Sequence, residues 1–352
     1  MINFIYKTIC LFTWLLGFQT AFAQSRGNLN SNFVFEGMTI LPGTSQSLNL
    51  PVISLQQDST YIPLTIINGM FRGPVIGLIA GIHGFEYPPI MAMQKLGKEI
   101  NPKEVSGTIL IIPIANVASF FKRTVYYDPR DGKNLNRQFP GNKNGTITEL
   151  LAHTISSKFI QRCNFVADIH AGDANEDLHP YVAIYEYGTQ TAKAKQMALA
   201  LDFPWIIISE NAPKPGMPTL YCTAEAVSKD IPVVGIEYGK LGQVQASDAE
   251  YINKRLKNMM RSLGVLPGNM EVTNSPIEIR KRSSIKSDQT GIFYTEYRSG
   301  SLFKEGAKLG YITDVFGNVI QEVYAPFDGF IIYVTITPPI NKGEMLFSIA
   351  SF

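Results

Sequence analysis

The sequence has few cysteines and few charged residues, and each shortage excludes a class of protein. Only 3 of its 352 residues are cysteine, which is too few for a fold held together by disulfides. Charged residues make up 17% of the chain and hydrophobic residues 45%, so the chain is not intrinsically disordered and can fill a large core. Lysine plus arginine (31) barely exceeds aspartate plus glutamate (29), and this lack of basic excess argues against a nucleic-acid partner. An ordinary globular protein remains, and we expect an enzyme.

The first residues have the pattern of a secretory signal peptide. Lys7 precedes a short apolar run over residues 9–18, and Ala21-Phe22-Ala23 fits the small-residue pattern before a cleavage point. The apolar run is shorter than the ~20 residues that cross a bilayer, so we expect cleavage before Gln24, with an uncleaved anchor as the alternative. No other stretch is long and apolar enough to span a membrane. The mature chain is therefore predicted to be periplasmic or secreted, with no membrane span.

The mature chain keeps two cysteines, Cys163 and Cys222. They can pair only if their Cα atoms lie within reach of a disulfide, and the sequence alone does not give that distance. A disulfide and two buried free thiols both stay open.

Unbroken apolar runs of strand length alternate with helical patterns through most of the mature chain. Runs without polar alternation predict strands buried on both faces, and alternation with helices predicts an α/β domain with a mostly parallel, twisted sheet flanked by helices. An edge hairpin region over 33–67 precedes this pattern. Thr146 and Glu149 form a predicted capping box before the second helix. The predicted strands are 75–82, 108–115, 165–169, 181–185, 205–209 and 232–236, and the predicted helices are 89–100, 149–161, 191–201 and 249–263.

The helical patterns stop near residue 268, and short β-like segments broken by glycine and proline follow. We therefore predict a signal peptide over 1–23, an α/β domain over 24–268 and a small all-β domain over 269–352. Residues 324–334 resemble the hairpins of biotinyl and lipoyl carrier domains, but the Met-Lys-Met type of triplet that carries their cofactor is missing. The tail is predicted to be structural or to shape access to a site, without biotin or lipoate.

Two of the four histidines stand where predicted core strands end. One strand runs directly into His83, with Glu86 three residues later, and another runs into His170. Ligands bind at the carboxyl ends of strands in open α/β sheets, so we expect these three side chains to meet. Two histidines and one carboxylate leave a coordination position for water, which is the arrangement of a hydrolytic zinc site.

Two further features support this interpretation. Gly81 and Gly84 flank His83, as expected where the backbone passes close to a ligand. Glu237 ends a third apolar run and is a candidate general base at the same edge. Each residue alone could be an ordinary surface group, but ionisable residues at the ends of three core strands are hard to explain by packing.

Residues 134–141, Asn-Leu-Asn-Arg-Gln-Phe-Pro-Gly, place an arginine beside amides in a loop bounded by glycine and proline. Such a loop suits bidentate binding of a carboxylate. A structural loop with a surface arginine is the alternative.

Four motifs of this sequence, taken in chain order, resemble the motifs of one family. Gly-Ile-His-Gly-Phe-Glu, the loop 134–141, Ala-Asp-Ile-His and Gly-Ile-Glu-Tyr-Gly are similar to motifs of the succinylglutamate desuccinylase/aspartoacylase family, a branch of the zinc carboxypeptidase-like hydrolases. The motifs span residues 81–239, and the β-rich tail also resembles the C-terminal domain of that family.

The resemblance implies a role for each matched residue of the catalytic centre. His83, Glu86 and His170 would hold one Zn²⁺ per chain. Glu237 would take a proton from the attacking water and pass it to the leaving nitrogen. Asp168 would support the site from behind, or be an ordinary strand-end residue.

The resemblance also implies how a substrate binds. Asn136 and Arg137 match the pair that binds the substrate carboxylate, and Arg123 matches the arginine that polarises the scissile carbonyl. The segment from Arg123 to Asn134 is longer than in aspartoacylases, so Arg130 is a rival for that role.

Some features depart from the family or stand outside its motifs. Asn134 occupies a position where the family often has aspartate, which leaves substrate identity open. The acidic residues after His170 would favour a cationic group on the substrate if they line the pocket, but a solvated acidic loop is the more ordinary expectation. They are Asp173, Glu176 and Asp177. His179 follows them as a candidate substrate contact, and His153 is expected on a helix without a catalytic part.

Three functions follow from these expectations. The first is an exported zinc amidohydrolase that removes the acyl group from an N-acyl amino acid or a related small amine. The second is an exported metallocarboxypeptidase or cell-wall peptide amidase, in which Asn136 and Arg137 hold the terminal carboxylate of a short peptide. The third is a non-catalytic, metal-dependent binding protein, which Glu237 argues against because a binder needs no general base. The sequence does not predict the oligomeric state.

Overall fold

A computed structural model describes residues 28–54, 59–211, 213 and 216–351. The predicted signal peptide over residues 1–23 lies outside the described residues, so its cleavage and the export of the protein stay predictions. Within the described part of the chain, no helix combines the length and apolar character needed to cross a membrane.

Twenty strands and six α-helices are present among the described residues. The strands are β1 (Phe33–Phe35), β2 (Met38–Ile40), β3 (Thr44–Ile53), β4 (Ser59–Asn68), β5 (Phe71–Ala80), β6 (Ser106–Ile112), β7 (Phe165–His170), β8 (Glu176–Leu178), β9 (Tyr181–Tyr185), β10 (Trp205–Ser209), β11 (Val233–Glu237), β12 (Ile277–Ile279), β13 (Lys281–Lys286), β14 (Gly291–Tyr294), β15 (Leu302–Phe303), β16 (Lys308–Thr313), β17 (Val319–Tyr324), β18 (Gly329–Thr335), β19 (Pro339–Ile340) and β20 (Met345–Ser351). The helices are α1 (Tyr87–Glu99), α2 (Val117–Lys122), α3 (Ile147–Thr154), α4 (Thr191–Ala200), α5 (Cys222–Ser228) and α6 (Ala246–Ser262).

A nine-stranded sheet lies at the centre of the fold, in the order β12-β10-β9-β11-β7-β5-β6-β4-β3. Its parallel pairs are β12–β10, β10–β9, β11–β7, β7–β5 and β5–β6, which confirms the mostly parallel sheet. The predicted edge hairpin is the antiparallel pair β3–β4. Strand β9 runs antiparallel to β11, a reversal that an unbroken apolar run does not signal.

Helices cover both faces of this sheet. On one face, α1, α4 and α6 pack through residues such as Leu96, Met197 and Leu256. On the other face, α3 and α5 contribute Leu151 and Ala226 to a second core. Because both faces are covered, the carboxyl ends of β5, β7 and β11 are the edge at which polar groups can collect.

The four predicted helices are present, with shifted ends. Helix α3 begins at Ile147 and continues through a π-helical turn, Ile155–Phe159, and a 3₁₀ turn, Ile160–Arg162. Glu149 Oε2 accepts a hydrogen bond from Thr146 N at 2.7 Å, as the predicted capping box requires. The sequence analysis did not identify α2 and α5, because helices of 6 and 7 residues are too short to show a periodic pattern.

Beyond residue 280 the chain forms two antiparallel sheets, β13-β20-β18-β15 and β17-β16-β14-β19. They enclose a separate core that includes Phe293, Ile312, Ile331 and Phe347. This core confirms the small C-terminal β unit of the predicted fold, whereas the domain boundary after residue 268 stays a prediction.

Two short strands connect the C-terminal sheets with the central sheet. Strand β12 lies beyond the predicted boundary but pairs with β10 in the central sheet. Strand β8 follows His170 in the α/β region but pairs with β18 of the C-terminal sheet. Each unit therefore supplies a strand to the other.

Cys163 and Cys222 are both free thiols. Cys163 and Cys222 are buried in the core that α3 and α5 form against the sheet. Of the two open alternatives, the structure has the buried free thiols.

The carboxylate of Asp202 accepts hydrogen bonds from the segment that leads into β12. Its carboxylate oxygens accept hydrogen bonds from Thr273 N at 2.9 Å and Asn274 N at 2.7 Å, and from Thr273 Oγ1 at 3.1 Å. Burial raises the pKa of the Asp202 carboxyl, but these hydrogen bonds outweigh it and hold the pKa below its usual value. Their stabilising effect is therefore fully present above the unfolded-state pKa of about 3.9 and is lost as the pH falls through the lower folded-state pKa.

We predict that Asp202→Ala lowers the free energy of unfolding at pH 7 by about 2–4 kcal/mol, because hydrogen bonds to a charged group are strong and their donors would be left unpaired. Urea unfolding measures the change, and the difference from the wild type should shrink below about pH 4. Asp288→Ala removes an exposed carboxylate and should change stability by less than about 0.5 kcal/mol. Equal effects of the two substitutions would contradict the role given to Asp202.

Candidate metal centre and active site

The loop between β5 and α1 is fixed by close backbone packing. Gly81 adopts a φ of 67°, a conformation that favours glycine. A Cβ at Gly84 would overlap the backbone nitrogen of Phe120 in α2. The backbone conformation of Gly81 and the close approach of Gly84 to α2 hold the short loop that carries His83 and Glu86.

Three predicted ligands meet where this loop passes the end of β7. Glu86 is the N-cap residue of α1, where the helix dipole favours a carboxylate, and His170 is the last residue of β7. His83 Nδ1 lies 2.6 Å from Glu86 Oε1, and His170 Nδ1 lies 2.8 Å from Glu86 Oε2. One potential ligand atom from each of the three buried residues lies within 4.8 Å of the others. Among the described residues, this is the one group of histidine, cysteine or carboxylate side chains with such spacing.

The outer nitrogen of each imidazole faces a polar group. His170 Nε2 lies 3.0 Å from Asp168 Oδ1, and His83 Nε2 lies 3.1 Å from Asn134 Oδ1. Metal-binding histidines ordinarily have their second ring nitrogen held in this way. Asp168 thus lies next to His170, which is the residue it was predicted to support. Asn134, which stands where the family often has aspartate, lies next to His83.

Buried carboxylates outnumber the imidazoles around this cluster. Burial raises the pKa of Glu86, but His170 and His83 outweigh it and lower the pKa to about 2. Burial, with a further contribution from Glu86, raises the pKa of Asp173 to about 7. Burial also raises the pKa of Glu176. Glu86 is therefore the carboxyl of this group that stays charged at neutral pH, as a metal ligand requires.

Glu237 lies at the same edge of the sheet. It ends β11 opposite His170 on the neighbouring strand. Burial raises its pKa well above the usual value, Glu86 raises it further, and His170 lowers it. A carboxyl with a raised pKa suits proton transfer near neutral pH. The catalytic role of Glu237 stays a prediction.

Asn136 and Arg137 occupy a 3₁₀ turn, Leu135–Arg137. Asn136 Oδ1 accepts a hydrogen bond from Cys222 N at 2.9 Å. Arg137 is exposed, and its guanidinium carbon lies 4.6 Å from the ring centroid of Tyr221. The binding of a substrate carboxylate by this pair stays a prediction.

The two rival arginines differ in their surroundings. Arg130 Nε and Nη2 lie 2.8 Å and 2.6 Å from the two carboxylate oxygens of buried Asp128, so its guanidinium is engaged in an ion pair. Arg123 ends α2 with a φ of 56° and is exposed. Arg123 is thus the better placed of the two for contact with a substrate, and its role at the scissile carbonyl stays a prediction.

The expectation of a solvated acidic loop after His170 is wrong. Asp173 and Asp177 are 0% and 1% exposed. Asp173 accepts a hydrogen bond from Tyr126 N at 3.2 Å, and Asp177 forms an ion pair with Lys240 at 2.9 Å. The pairing of β8 with β18 takes this segment out of the solvent, and loop composition does not reveal such a pairing.

The remaining histidines lie apart from the cluster. The His179 ring contacts Trp205 and Phe330 edge-on, with centroid distances of 5.9 Å and 6.4 Å, so it belongs to an aromatic group between the sheets. His153 lies in the last turn of α3. A substrate contact by His179 stays a prediction.

Tyr126 is a site residue that the sequence analysis missed. Its φ is 68°, its ring centroid lies 6.0 Å from that of His83 in an edge-on contact, and its hydroxyl donates to Glu176 Oε1 at 2.7 Å. Glu176 belongs to β8, which pairs with β18 of the C-terminal sheet. The C-terminal sheet therefore reaches to within one side chain of His83. Tyr126 lies in a loop without motif or periodicity, so no sequence signal marks it.

The α/β unit thus carries, at the carboxyl edge of its sheet, a buried His-Glu-His group that could hold a metal ion. The sequence profile of the succinylglutamate desuccinylase/aspartoacylase catalytic domain matches residues 72–263, which is more than half of the chain. The chain therefore belongs to the succinylglutamate desuccinylase/aspartoacylase family, as the four motifs predicted.

Individual relatives agree with this assignment. The chain is 26% identical over 315 residues to N-alpha-acetyl-L-2,4-diaminobutyric acid deacetylase of Halomonas elongata, covering 86% of this chain and 90% of the relative. Its fold is similar to the product-bound ectoine utilization protein EutE of Ruegeria pomeroyi, with a TM-score of 0.78, 23% identity, and coverage of 88% and 95% of the two chains. A succinylglutamate desuccinylase/aspartoacylase structure from Rhodobacter sphaeroides gives a TM-score of 0.75 at 21% identity, covering 87% and 95%. Family membership and the named deacetylase support a deacylase enzyme.

We predict that Gly84→Ala removes metal binding, because the added Cβ would displace the loop from α2 and move both His83 and Glu86. Metal content after dialysis and thermal unfolding measure the effect. Gly97→Ala is the matched control, since a Cβ there meets its nearest atom at 3.8 Å and alanine favours helix α1 by up to about 1 kcal/mol. Normal metal content in Gly84→Ala would show that the loop does not depend on this contact.

Proposed function

We propose that this protein is an exported zinc-dependent deacylase that hydrolyses the amide bond of an N-acyl amino acid. The observation that carries the proposal is the meeting of His83, Glu86 and His170 at one point, with Glu237 beside them on the next strand. Export rests on the signal-peptide pattern of residues 1–23 alone.

The donor set fits zinc because the proton positions on both rings follow from their neighbours. Asn134 Oδ1 also accepts from Asn136 N at 2.8 Å, so His83 Nε2 must donate to this oxygen and His83 Nδ1 keeps its lone pair. Asp168 Oδ1 lies 3.0 Å from His170 Nε2, and a proton on that nitrogen would leave the lone pair on His170 Nδ1. Two imidazole nitrogens and the carboxylate of Glu86 form a three-ligand catalytic zinc set.

Zn²⁺ held by His83, Glu86 and His170 would supply a Lewis acid and would make water a stronger nucleophile near neutral pH. In the proposed reaction, the carboxylate of Glu237 takes a proton from the attacking water. Glu237 then delivers that proton to the amide nitrogen as the carbon–nitrogen bond breaks. The products are a carboxylic acid and a free amine, and Glu237 returns to its charged form.

The loop that contacts His83 carries side chains that support a substrate with a free carboxylate. Arg137 is exposed in the turn that follows Asn134, the residue next to His83. An arginine can bind a carboxylate with two hydrogen bonds. The amide nitrogen of Asn136 is available for the same task, because its oxygen is engaged by Cys222 N. Arg123 would lie against the scissile carbonyl. The relative that acts on Nα-acetyl-L-2,4-diaminobutyric acid supports an amino acid as the amine product.

We predict that the mature protein binds about one zinc per chain, that His83→Ala loses it, and that Glu237→Gln keeps it but lowers kcat at least about 100-fold, because the general base is removed. Mass spectrometry of metal content and turnover of Nα-acetyl amino acids measure both results. Glu305→Gln changes an exposed glutamate and should leave both unchanged. Normal turnover by Glu237→Gln would refute the mechanism, and a wild type without zinc would refute the metal centre.

We also predict that Arg137→Ala raises KM for Nα-acetyl amino acids about 10–100-fold with a smaller effect on kcat, because it removes a charged hydrogen-bond donor to the carboxylate. For substrates with an amidated carboxyl group, this variant should have the same KM and kcat as the wild type. Arg162→Ala, in an exposed turn, is the control. Faster release of amino acids from short peptides than from Nα-acetyl amino acids would instead indicate a carboxypeptidase.

A further inference from the structure

The short segment that begins with Arg123 has an unusual backbone. Residues 123–127, which we call the arginine segment, directly follow α2. Arg123 and Tyr126 have φ values of 56° and 68°, and residues other than glycine keep such a conformation only where their surroundings hold it. Hydrogen bonds near both ends of the arginine segment supply this constraint.

The first end is joined to the loop between β5 and α1, which carries two of the three candidate metal ligands. Thr124 Oγ1 donates a hydrogen bond to Ser119 Oγ at 2.9 Å, and the same oxygen accepts one from Gly84 N at 3.1 Å. Ser119 is 0% exposed, so bulk water does not compete for these hydrogen bonds. Arg123, the neighbour of Thr124, is thus held close to the loop of the metal ligands on this side.

The other end is held through Tyr126. Its hydroxyl lies 2.7 Å from Glu176 Oε1 and 2.9 Å from Asn175 Oδ1, and its N–H donates to Asp173 Oδ2 at 3.2 Å. The second oxygen of the Glu176 carboxylate accepts a hydrogen bond from Asp173 N at 3.0 Å. This carboxylate is therefore fixed in direction, and it is a strong acceptor for the hydroxyl of Tyr126.

The acceptors of Tyr126 are in turn held by the C-terminal sheet. Glu176 lies opposite Thr335 where β8 pairs with β18. Asn175 O accepts a hydrogen bond from Ile336 N, directly after β18, at 3.0 Å. The C-terminal sheet thus reaches the arginine segment through the side chain of Tyr126.

We propose that Tyr126 is a positioning residue of the active site, whose hydroxyl anchors the arginine segment to the C-terminal sheet and so holds Arg123 where the scissile carbonyl binds. A charged group stabilises a transition state best when it is in place before the reaction begins. The side chain of Arg123 is exposed, so its position depends on the backbone that carries it. The inference rests on the proposed function, in which Arg123 lies against the scissile carbonyl.

The first test compares Tyr126→Phe with Tyr127→Phe in zinc content and in turnover of Nα-acetyl amino acids. Tyr126→Phe keeps the ring that contacts His83 and removes only the hydroxyl. It should keep its zinc and a KM within about 2-fold of the wild type, while kcat falls about 10-fold because Arg123 is less well placed in the transition state. Tyr127→Phe removes the hydroxyl of a neighbouring tyrosine that is 46% exposed and should match the wild type.

A double-mutant cycle tests whether the effect of Tyr126 passes through Arg123. In the Arg123→Ala background, Tyr126→Phe should change kcat by less than about 2-fold, because the side chain that it positions is already absent. A full 10-fold loss in this background would show that Tyr126 acts on another group and would overturn the proposal.

Hydrogen exchange measures the anchor without any turnover. The amides of the arginine segment should exchange about 10-fold faster in Tyr126→Phe than in the wild type or Tyr127→Phe, because local opening no longer breaks a hydrogen bond to a carboxylate. Mass spectrometry of a peptic peptide that covers residues 121–128 gives these rates.

Two further results would overturn the proposal, namely a normal kcat in Tyr126→Phe or exchange rates that this substitution leaves unchanged. Loss of zinc from Tyr126→Phe would also overturn it, since the hydroxyl would then act on the metal ligands. A wild type that hydrolyses no N-acyl amino acid would instead refute the proposed function itself. The exchange rates distinguish the two failures, because they report on the anchor whatever the activity.

Discussion

The carboxylate of Glu86 contacts two imidazoles at once, and the architecture around it makes this possible. His83 follows β5 and His170 ends β7, and these neighbouring parallel strands bring their carboxyl ends to one edge of the sheet. Glu86 reaches the same point because the loop between β5 and α1 is too tightly packed to take another path, as the contact of Gly84 with α2 shows. The start of α1 then supplies the positive end of a helix dipole beside the carboxylate. The order of the strands, the packing of the loop and the position of α1 together determine where the three side chains meet.

The three ligands could be predicted from the sequence because the pattern that predicts a buried strand also gives the position of its end. The contacts behind them could not be predicted. Asn134 lies 51 residues from His83 along the chain, and Cys222 lies 86 residues from Asn136. Hydrogen bonds over such separations depend on how loops pack in three dimensions, and neither periodicity nor local spacing records that packing.

In the fold as well, elements with a local sequence pattern could be predicted, and elements that depend on distant partners could not. Six apolar runs predicted six strands of the central sheet, because each run is long enough to show burial on both faces. The strands β8 and β12 have 3 residues each, which is too few for any pattern. The acidic segment that contains β8 was expected in solvent, since acidic residues usually stay hydrated. Its place in a sheet depends on β18, more than 150 residues away, a partner that the segment itself does not indicate.

The exchange of β8 and β12 between the two units has a consequence for synthesis of the chain. A ribosome releases the segment that follows His170 long before it makes β18, so the nascent α/β unit has no sheet in which β8 can take its place. Likewise β10 stays an open edge until residues 277–279 emerge. The loop beside the metal ligands therefore adopts its final path only after almost the whole chain has been translated.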